Sequence, residues 1–600
     1  MASRVRHLTR RLGRCLPVLL TIAGCNPNLE GAPEIEQDGP VGRQAPLNTP
    51  CVYSASTKVA TLLVANGETA ILTRRIPDGA LLVNGQTCGA GTASNITRID
   101  INEDPNSTGS QSIVVEYTTG TFGLGSSASV GIAVSLGSGS DSFSLKGTSS
   151  ADVFCVAADG IYVSASDSYK DITVTSTGTL EYNFALAGGN DSFTAQGPCS
   201  GASNPFLQPL IVIGGEGADK VVGGSGNDSL YGGDGDDSLS GALGNDTCSG
   251  DSGNDYFDEA RPSGTTNGND VYLDSAGTSD VVDYSSRATV LRVDIEALAA
   301  SGDDGESGIN EADQVVSGID MIRGGSDADV LTGDGAGNKL YGGPGNDTLT
   351  GGLGSDTLDG QAGDDLLVEG AVNSGADILI GGLGTDTADY SARSTSLIIT
   401  MDGRNADDGA PGETDNVAAD VERCLGGSAA DTITGNAGNN VIRGGAGADV
   451  LNGGDGDDKF DDPLASNGGD IITGGAGYDT VDYSAFAGAL TVSMDGVAAN
   501  DGLSGEGDNV GSDVEVCIGG GGDDSITGGP GPNDLYGGAG NDVLHGAGGV
   551  DMLSGGAGAD SLFGDAGEDT LDGEGASGDV LDCGPGDDIG LNGTMTNCEL

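Results

Sequence analysis

The chain contains no tryptophan, and aromatic residues make up only 4% of its 600 positions. A core organised around large rings is therefore not expected. Histidine occurs twice, at His7 and His545, a scarcity that removes most zinc hydrolases, Ser-His-Asp enzymes and haem proteins. Positive charge is also scarce: 23 Lys and Arg stand against 91 Asp and Glu, for a formal net charge of −68. Nucleic acid and anionic membrane surfaces repel such a chain, so no nucleic-acid partner is expected. No CxxC pair, HExxH motif or GxSxG elbow occurs. Past the N-terminus no apolar run approaches the length of about 18 residues that a membrane-spanning helix needs. What is abundant is glycine, with 111 residues, more than twice the share of roughly 7% in average proteins. Composition alone would read as disorder; the order of the residues says otherwise.

Residues 1–24 have the pattern of an export signal. Arg4, Arg6, Arg10, Arg11 and Arg14 form a basic segment, followed by a short apolar one over 16–23, too short for a finished transmembrane helix. Ile22-Ala23-Gly24-Cys25 resembles the lipobox of bacterial lipoproteins, which implies lipidation of Cys25. The alternatives are an ordinary cleaved signal and a twin-arginine signal at Arg10-Arg11. Residues 25–50 carry Pro27, Pro33, Pro40, Pro46 and Pro50 without hydrophobic periodicity and read as a flexible tether. An exported location permits disulfides. Order along the chain suggests Cys51–Cys88, Cys155–Cys199 and Cys583–Cys598. Cys248, Cys424 and Cys517 fall at apolar positions of the repeats described next and are expected in the core.

From Gly214 the sequence runs in nines: GGEGADKVV, GGSGNDSLY, GGDGDDSLS, GALGNDTCS, GDSGNDYFD. Position six is Asp219, Asp228, Asp237, Asp246 and Asp255, and position eight is apolar. Three further arrays follow the 214–258 array. Array 324–389 has Asp329, Asp347, Asp356, Asp365, Asp377 and Asp386 at position six. Array 426–482 has Asp431, Asp449, Asp458, Asp470 and Asp479. Array 519–600, which includes a C-terminal cap, has Asp524, Asp542, Asp551, Asp560, Asp569 and Asp588. Asn338, Asn440 and Asn533 take position six in the second repeat of these three arrays, where weaker or altered metal sites are expected. Position six is Asp or Asn in these repeats, never Glu. Three-residue insertions at 369–371 and 462–464 fall at equivalent places.

Between the arrays lie three related segments, 259–323, 390–425 and 483–518, carrying DYSSR from Asp283, DYSAR from Asp389 and DYSAF from Asp482. Their alternating stretches, such as 490–494, read as strands. Their Asp/Glu-rich loops read either as solvated decoration or as extra calcium loops. Residues 51–213 are rich in short apolar runs, with degenerate repeat copies at Asp141, Asp152 and Asp191, and read as a β-domain grading into the repeats.

The template G-G-x-G-x-D-x-U-x, with U apolar, resembles the RTX, or hemolysin-type, calcium-binding repeat family. The resemblance implies an all-β chain of right-handed parallel β-roll arrays, with two nonapeptides per coil. It further implies that the position-six aspartates and backbone carbonyls ligate multiple Ca²⁺ ions, a set of oxygens suited to a hard cation, with folding coupled to binding. Same-edge residues are then two repeats apart: Asp347 and Asp365 share a row and Asp356 belongs to the other.

The function expected is a non-catalytic calcium-binding surface or extracellular protein, structural or adhesive, touching a membrane through its lipid anchor only. Its matrix or cell-surface partner is not named by the sequence. It would be lipid-anchored at the cell surface or outer membrane, or secreted. The alternative is an enzyme whose catalytic function lies in 51–213, with the repeats as a folding and secretion module. A pore-forming toxin would need a membrane-active apolar region, and none is present.

Overall fold

Each nonapeptide contributes a short strand and a glycine-lined turn, and the strands pair in parallel from one coil to the next. The computed structural model describes residues 51–598 apart from stretches within them, the longest being 75–79, 118–130, 164–170, 260–266, 297–303, 307–311 and 462–467. The expected signal peptide and tether, Cys25 and the 462–464 insertion lie outside the described residues. Those described form strands and turns and no helix.

The alternating tripeptide x-U-x turns one side chain inward. In Thr348–Thr350, Leu349 is buried and both threonines are partly exposed. On the other side of the coil the strands run on through the glycines, as in Lys339–Pro344 and Thr357–Ala362. Leu340 pairs with Leu358, and Leu349 with Leu367, so two nonapeptides close one coil. The inward column of Leu340, Leu349, Leu358, Leu367 and Leu379 is completely buried. One buried leucine supplies about 1.5–3 kcal/mol, while ordering each backbone residue costs roughly 1–2 kcal/mol. The apolar column alone thus falls well short of holding nine residues in place. Turns stack so tightly that a Cβ on Gly363, at φ +149°, would fall on the Gly345 carbonyl of the coil before.

The two ladders begin upstream of the clean repeats. Val59–Val64 pairs antiparallel with Val52–Ser54, then parallel with Arg98–Glu103. Ser140–Lys146, Thr179–Gly188, Leu210–Glu216 and Ser229–Asp234 form one continuous parallel ladder. Residues 51–213 therefore lead into the first array through shared strand pairing.

At each intervening segment one ladder passes through while the other narrows, or ends and restarts. In the first, Tyr256–Asp258, Val281–Asp283, Met321–Arg323 and Lys339–Pro344 pair in unbroken succession. The companion ladder narrows here: Gln314–Val316 pairs with only the last two residues of Leu291–Glu296, whose earlier residues start the next stretch against Val330–Thr332. The second segment ends a ladder at Asn416–Val417 and restarts at Ile398–Thr400. The third ends one at Asn509–Val510 and restarts at Leu490–Ser493. All three expected disulfides are formed. Cys248, Cys424 and Cys517 are free and buried, in the inward columns.

Candidate metal centres

Every position-six aspartate of the four arrays is buried, and the two oxygens of each carboxylate do different work. Oδ1 accepts the backbone N–H of the equivalent residue one coil earlier. Asp347 accepts from Asp329 at 2.7 Å, Asp365 from Asp347 at 2.7 Å and Asp386 from Asp365 at 2.9 Å. On the other edge, Asp356 accepts from Asn338 and Asp377 from Asp356, both at 2.7 Å. Asp347 and Asp365 thus share one row and Asp356 lies in the other.

Oδ2 is the exception to the rule that buried polar atoms find partners. It is buried without a hydrogen bond in Asp219, Asp237, Asp246 and Asp255 of the first array and in Asp347, Asp356, Asp365 and Asp386 of the second. The same holds for Asp449, Asp458 and Asp479, and for Asp542, Asp551, Asp560, Asp569 and Asp588. Apart from Asp588, whose repeat begins with Cys583, each such oxygen faces the first glycine of its own repeat. A Cβ on Gly342 would strike Asp347 Oδ2 and approach the Gly360 carbonyl one coil on. Gly453 meets Asp458 Oδ2 and the Gly474 carbonyl in the same way. The result is a repeating cradle of one carboxylate oxygen and one carbonyl oxygen, kept open by the absence of a side chain. These donors fit a hard divalent cation. Their cost without one is visible in the carboxyl groups: burial, with the neighbouring Asp329 carboxylate, pushes Asp347 up to about 6. Burial, with Asp377, pushes Asp356 up to about 7.

Four aspartates keep no orphan oxygen. Asp228 accepts from Leu210 and Gly224, Asp329 from Leu291 and Gly325, Asp431 from Leu397 and Gly427, and Asp524 from Leu490 and Gly520, at 2.6–2.9 Å. Asp329, Asp431 and Asp524 stand where a ladder restarts. The asparagines mark the other kind of junction, where a ladder leaves an intervening segment. Asn338, Asn440 and Asn533 each accept, at 2.8 Å, the N–H of position two of their own repeat. A neutral carbonyl suffices for that turn closure. Asp377 and Asp470 accept from Asp356 and Asp449 and lie one coil before the ladder ends at Asp415 and Asp508.

The rows also contain residues that the nine-residue period does not reach. Asp270, Asp280 and Asp579 accept from Asp246, Asp255 and Asp560. Glu422 and Glu515 accept from Asp386 and Asp479, both at 2.9 Å, so glutamate does occupy row positions inside the intervening segments. The short pattern D-x-U-x, taken without the spacing, would have found the aspartates.

One loop acid in each intervening segment is closed by two backbone donors. Asp304 accepts from Asp294 at 2.7 Å and Val315 at 2.8 Å. Asp408 holds Thr400 and Val417, and Asp501 holds Ser493 and Val510, in the same way. These loop acids are buried clasps, neither decoration nor open cradles. The tyrosine of each DYS motif donates to the last acid of the ending ladder: Tyr284 to Asp313 and Tyr390 to Asp415 at 3.4 Å, Tyr483 to Asp508 at 3.2 Å. Arg287, fully buried, pairs with Glu259 at 2.6 Å. Arg393 pairs with Glu369 at 2.8 Å and Glu413 at 2.7 Å. The third segment places Phe486 at the matching position, also buried.

A stacked parallel roll with rows of oxygen cradles defines a calcium-binding repeat protein. The model of the RTX calcium-binding nonapeptide repeat matches residues 213–248, 224–257, 316–349, 332–367, 372–389, 425–460, 464–482, 518–553 and 545–580. These stretches match the RTX calcium-binding nonapeptide repeat, and Ca²⁺ is the cofactor of such repeats. No curated protein matches the chain at significant similarity.

Proposed function

We propose that the protein is a non-catalytic, calcium-ordered structural or adhesive element of an exported chain, held at a membrane by lipid on Cys25. The observation that carries the calcium-ordered part is the row of buried, unpartnered Oδ2 atoms facing open glycines. Like charges in such a row oppose folding, and a bound divalent cation supplies the missing counter-charge and joins successive coils. The chain's own residues fix the spacing through the Oδ1 ladder, so the cradles are set by backbone geometry. Against the enzyme reading stands the chemistry of His545, the one histidine beyond the signal. Its ring stacks on Phe563 with centroids 4.4 Å apart and its Nδ1 meets Asp565 Oδ2 at 3.0 Å, inside an ordinary repeat strand.

Two experiments test this reading. Cys25→Ser is expected to move the protein from the membrane fraction to the soluble one. Wild-type protein that is already soluble, with no lipid on its N-terminus, would contradict the anchor. Screening the chain for hydrolysis of glycosidic and ester substrates is expected to give no turnover; turnover lost on deleting 51–213 would favour the enzyme.

A further inference from the structure

The first glycine of an ordinary repeat keeps the cradle open, and in the coil after Gly250 the equivalent position carries a carboxylate, Asp274. Tyr272 pairs with Cys248, and Ser252 bridges to Ala276, which sets Asp274 directly opposite Gly250. A Cβ on Gly250 would strike Asp255 Oδ2, so side chains at this position point into the row. Asp274 follows the strand Val271–Leu273, and one oxygen from each of Asp255, Asp274 and Asp280 lies within 4.8 Å of the others. Asp255 and Asp280 are 1% and 0% exposed. Their Oδ2 atoms are buried without a hydrogen bond, as is Asp274 Oδ1. The remaining oxygens are engaged: Asp255 Oδ1 by the Asp237 N–H at 2.8 Å, Asp280 Oδ1 by the Asp255 N–H at 2.8 Å, and Asp274 Oδ2 by the Ala276 N–H at 2.9 Å.

A second three-carboxylate group among the described residues is neutralised from within the chain. At Glu369, Asp377 and Asp415, the chain supplies its own cation, since Arg393 pairs with Glu369, and Tyr390 donates to Asp415. Asp255, Asp274 and Asp280 form no ion pair with lysine or arginine among the described residues. One carboxylate oxygen of each comes within 4.8 Å of the others without a lysine or arginine partner among the described residues.

We propose that Asp274, with Asp255 and Asp280, forms a three-carboxylate calcium site that binds more tightly than the ordinary row sites and fills first, at the junction of the first array and the first intervening segment. This rests on the reading of the rows as calcium sites. Affinity of oxygen cages for Ca²⁺ rises with the number of charged ligands, and the third carboxylate adds a full charge at contact range.

The test is hydrogen exchange followed by mass spectrometry on the full chain, titrated with CaCl2, comparing residues 247–283 with the regular coils 339–362. The expected result is that 247–283 becomes protected at lower calcium. Asp274→Gly, which installs the ordinary repeat residue, should raise that midpoint on the order of tenfold and leave 339–362 unchanged. Asp274→Asn, which keeps size and turn preference, should shift it in the same direction. The proposal is overturned if 247–283 titrates with or after 339–362 in the wild type, or if neither substitution moves it. It is also overturned if Asp274→Gly abolishes protection even in saturating calcium while Asp274→Asn behaves as wild type, since Asp274 would then be a turn former only. Calcium protection at 339–362 with no shift at 247–283 would remove this site alone. Protection nowhere would remove the row reading and this site with it.

Discussion

The arrays and the segments between them bury acids at similar depth, yet they neutralise them differently. In the arrays most row carboxylates spend one oxygen on the backbone of the preceding coil and leave the other without a partner. In the intervening segments the clasp acids Asp304, Asp408 and Asp501 are closed by backbone N–H groups, and others by the DYS tyrosines or by Arg287 and Arg393, with Asp274 and Asp280 of the first segment as exceptions. The same carboxylate chemistry therefore yields coils that need an outside cation and coils that carry their own donors. The third segment sharpens the lesson: Phe486 replaces the arginine and fills the interior with an apolar ring against Tyr483, at 5.7 Å between centroids. A buried ion pair and a buried ring are alternative ways of closing one interior position, consistent with how little net stability such pairs carry.

The largest single-residue effect expected follows from that contrast. Arg393→Ala strands Glu369 and Glu413 in the interior without their cation, and breaking a buried pair in this way costs about 3–5 kcal/mol. Urea unfolding in saturating calcium should show the loss, and further calcium should not restore it. Recovery by calcium would mean that arrays and intervening segments are not distinct in the way described.

Within the arrays the effects divide by row. Asp347→Asn and Asp365→Asn keep an oxygen for the backbone ladder and remove the charge, so calcium affinity should fall while folding in saturating calcium is little changed. The pair should be non-additive by about 0.5–3 kcal/mol, as expected for residues sharing a partner. Asp347 with Asp356, on opposite edges, should couple less. Asp431→Asn provides the contrast: both its oxygens already hold N–H groups, so its effect on calcium affinity should be well below that of the row substitutions. Calcium titration calorimetry on these single and double variants decides this, and an unchanged titration for the Asp347→Asn, Asp365→Asn double variant would sink the ligand assignment.

A smaller effect is expected from pH. The row carboxyls are pushed up by burial, Asp347 to about 6 and Asp356 and Asp449 to about 7. A raised pKa means that the folded calcium-free chain binds more protons than the unfolded one, so its stability falls as pH rises. That contribution is full below about pH 4 and is lost as pH passes through 6 to 7. In chelator, circular dichroism should show more strand at pH 5 than at pH 8, and the difference should shrink in calcium, whose binding displaces the protons.

Much of this was legible in the sequence. The nine-residue period located the rows, the paired edges and the inward columns, because glycine, aspartate and one apolar residue each have a separate geometric task. The division of labour within a carboxylate was not legible, since Oδ1 and Oδ2 become different only when a neighbouring coil supplies an N–H to one of them. Asp304, Asp408 and Asp501 read equally well as solvated loop acids, and only the folded chain brings two backbone donors to each. Asp270, Asp280 and Asp579 escaped because insertions break the count of nine while leaving D-x-U-x intact. The interior place of Arg287 and Arg393 had one signal, their alignment with Phe486.

The most direct test of the central claim is a calcium titration of residues 26–600 followed by circular dichroism, with magnesium in parallel. The account predicts that strand signal is low in chelator at neutral pH, rises cooperatively with Ca²⁺, and does not rise with equal Mg²⁺, because irregular cradles of carboxylate and carbonyl oxygen suit the larger ion. Equal ordering by both ions, or full strand signal in chelator, would contradict it.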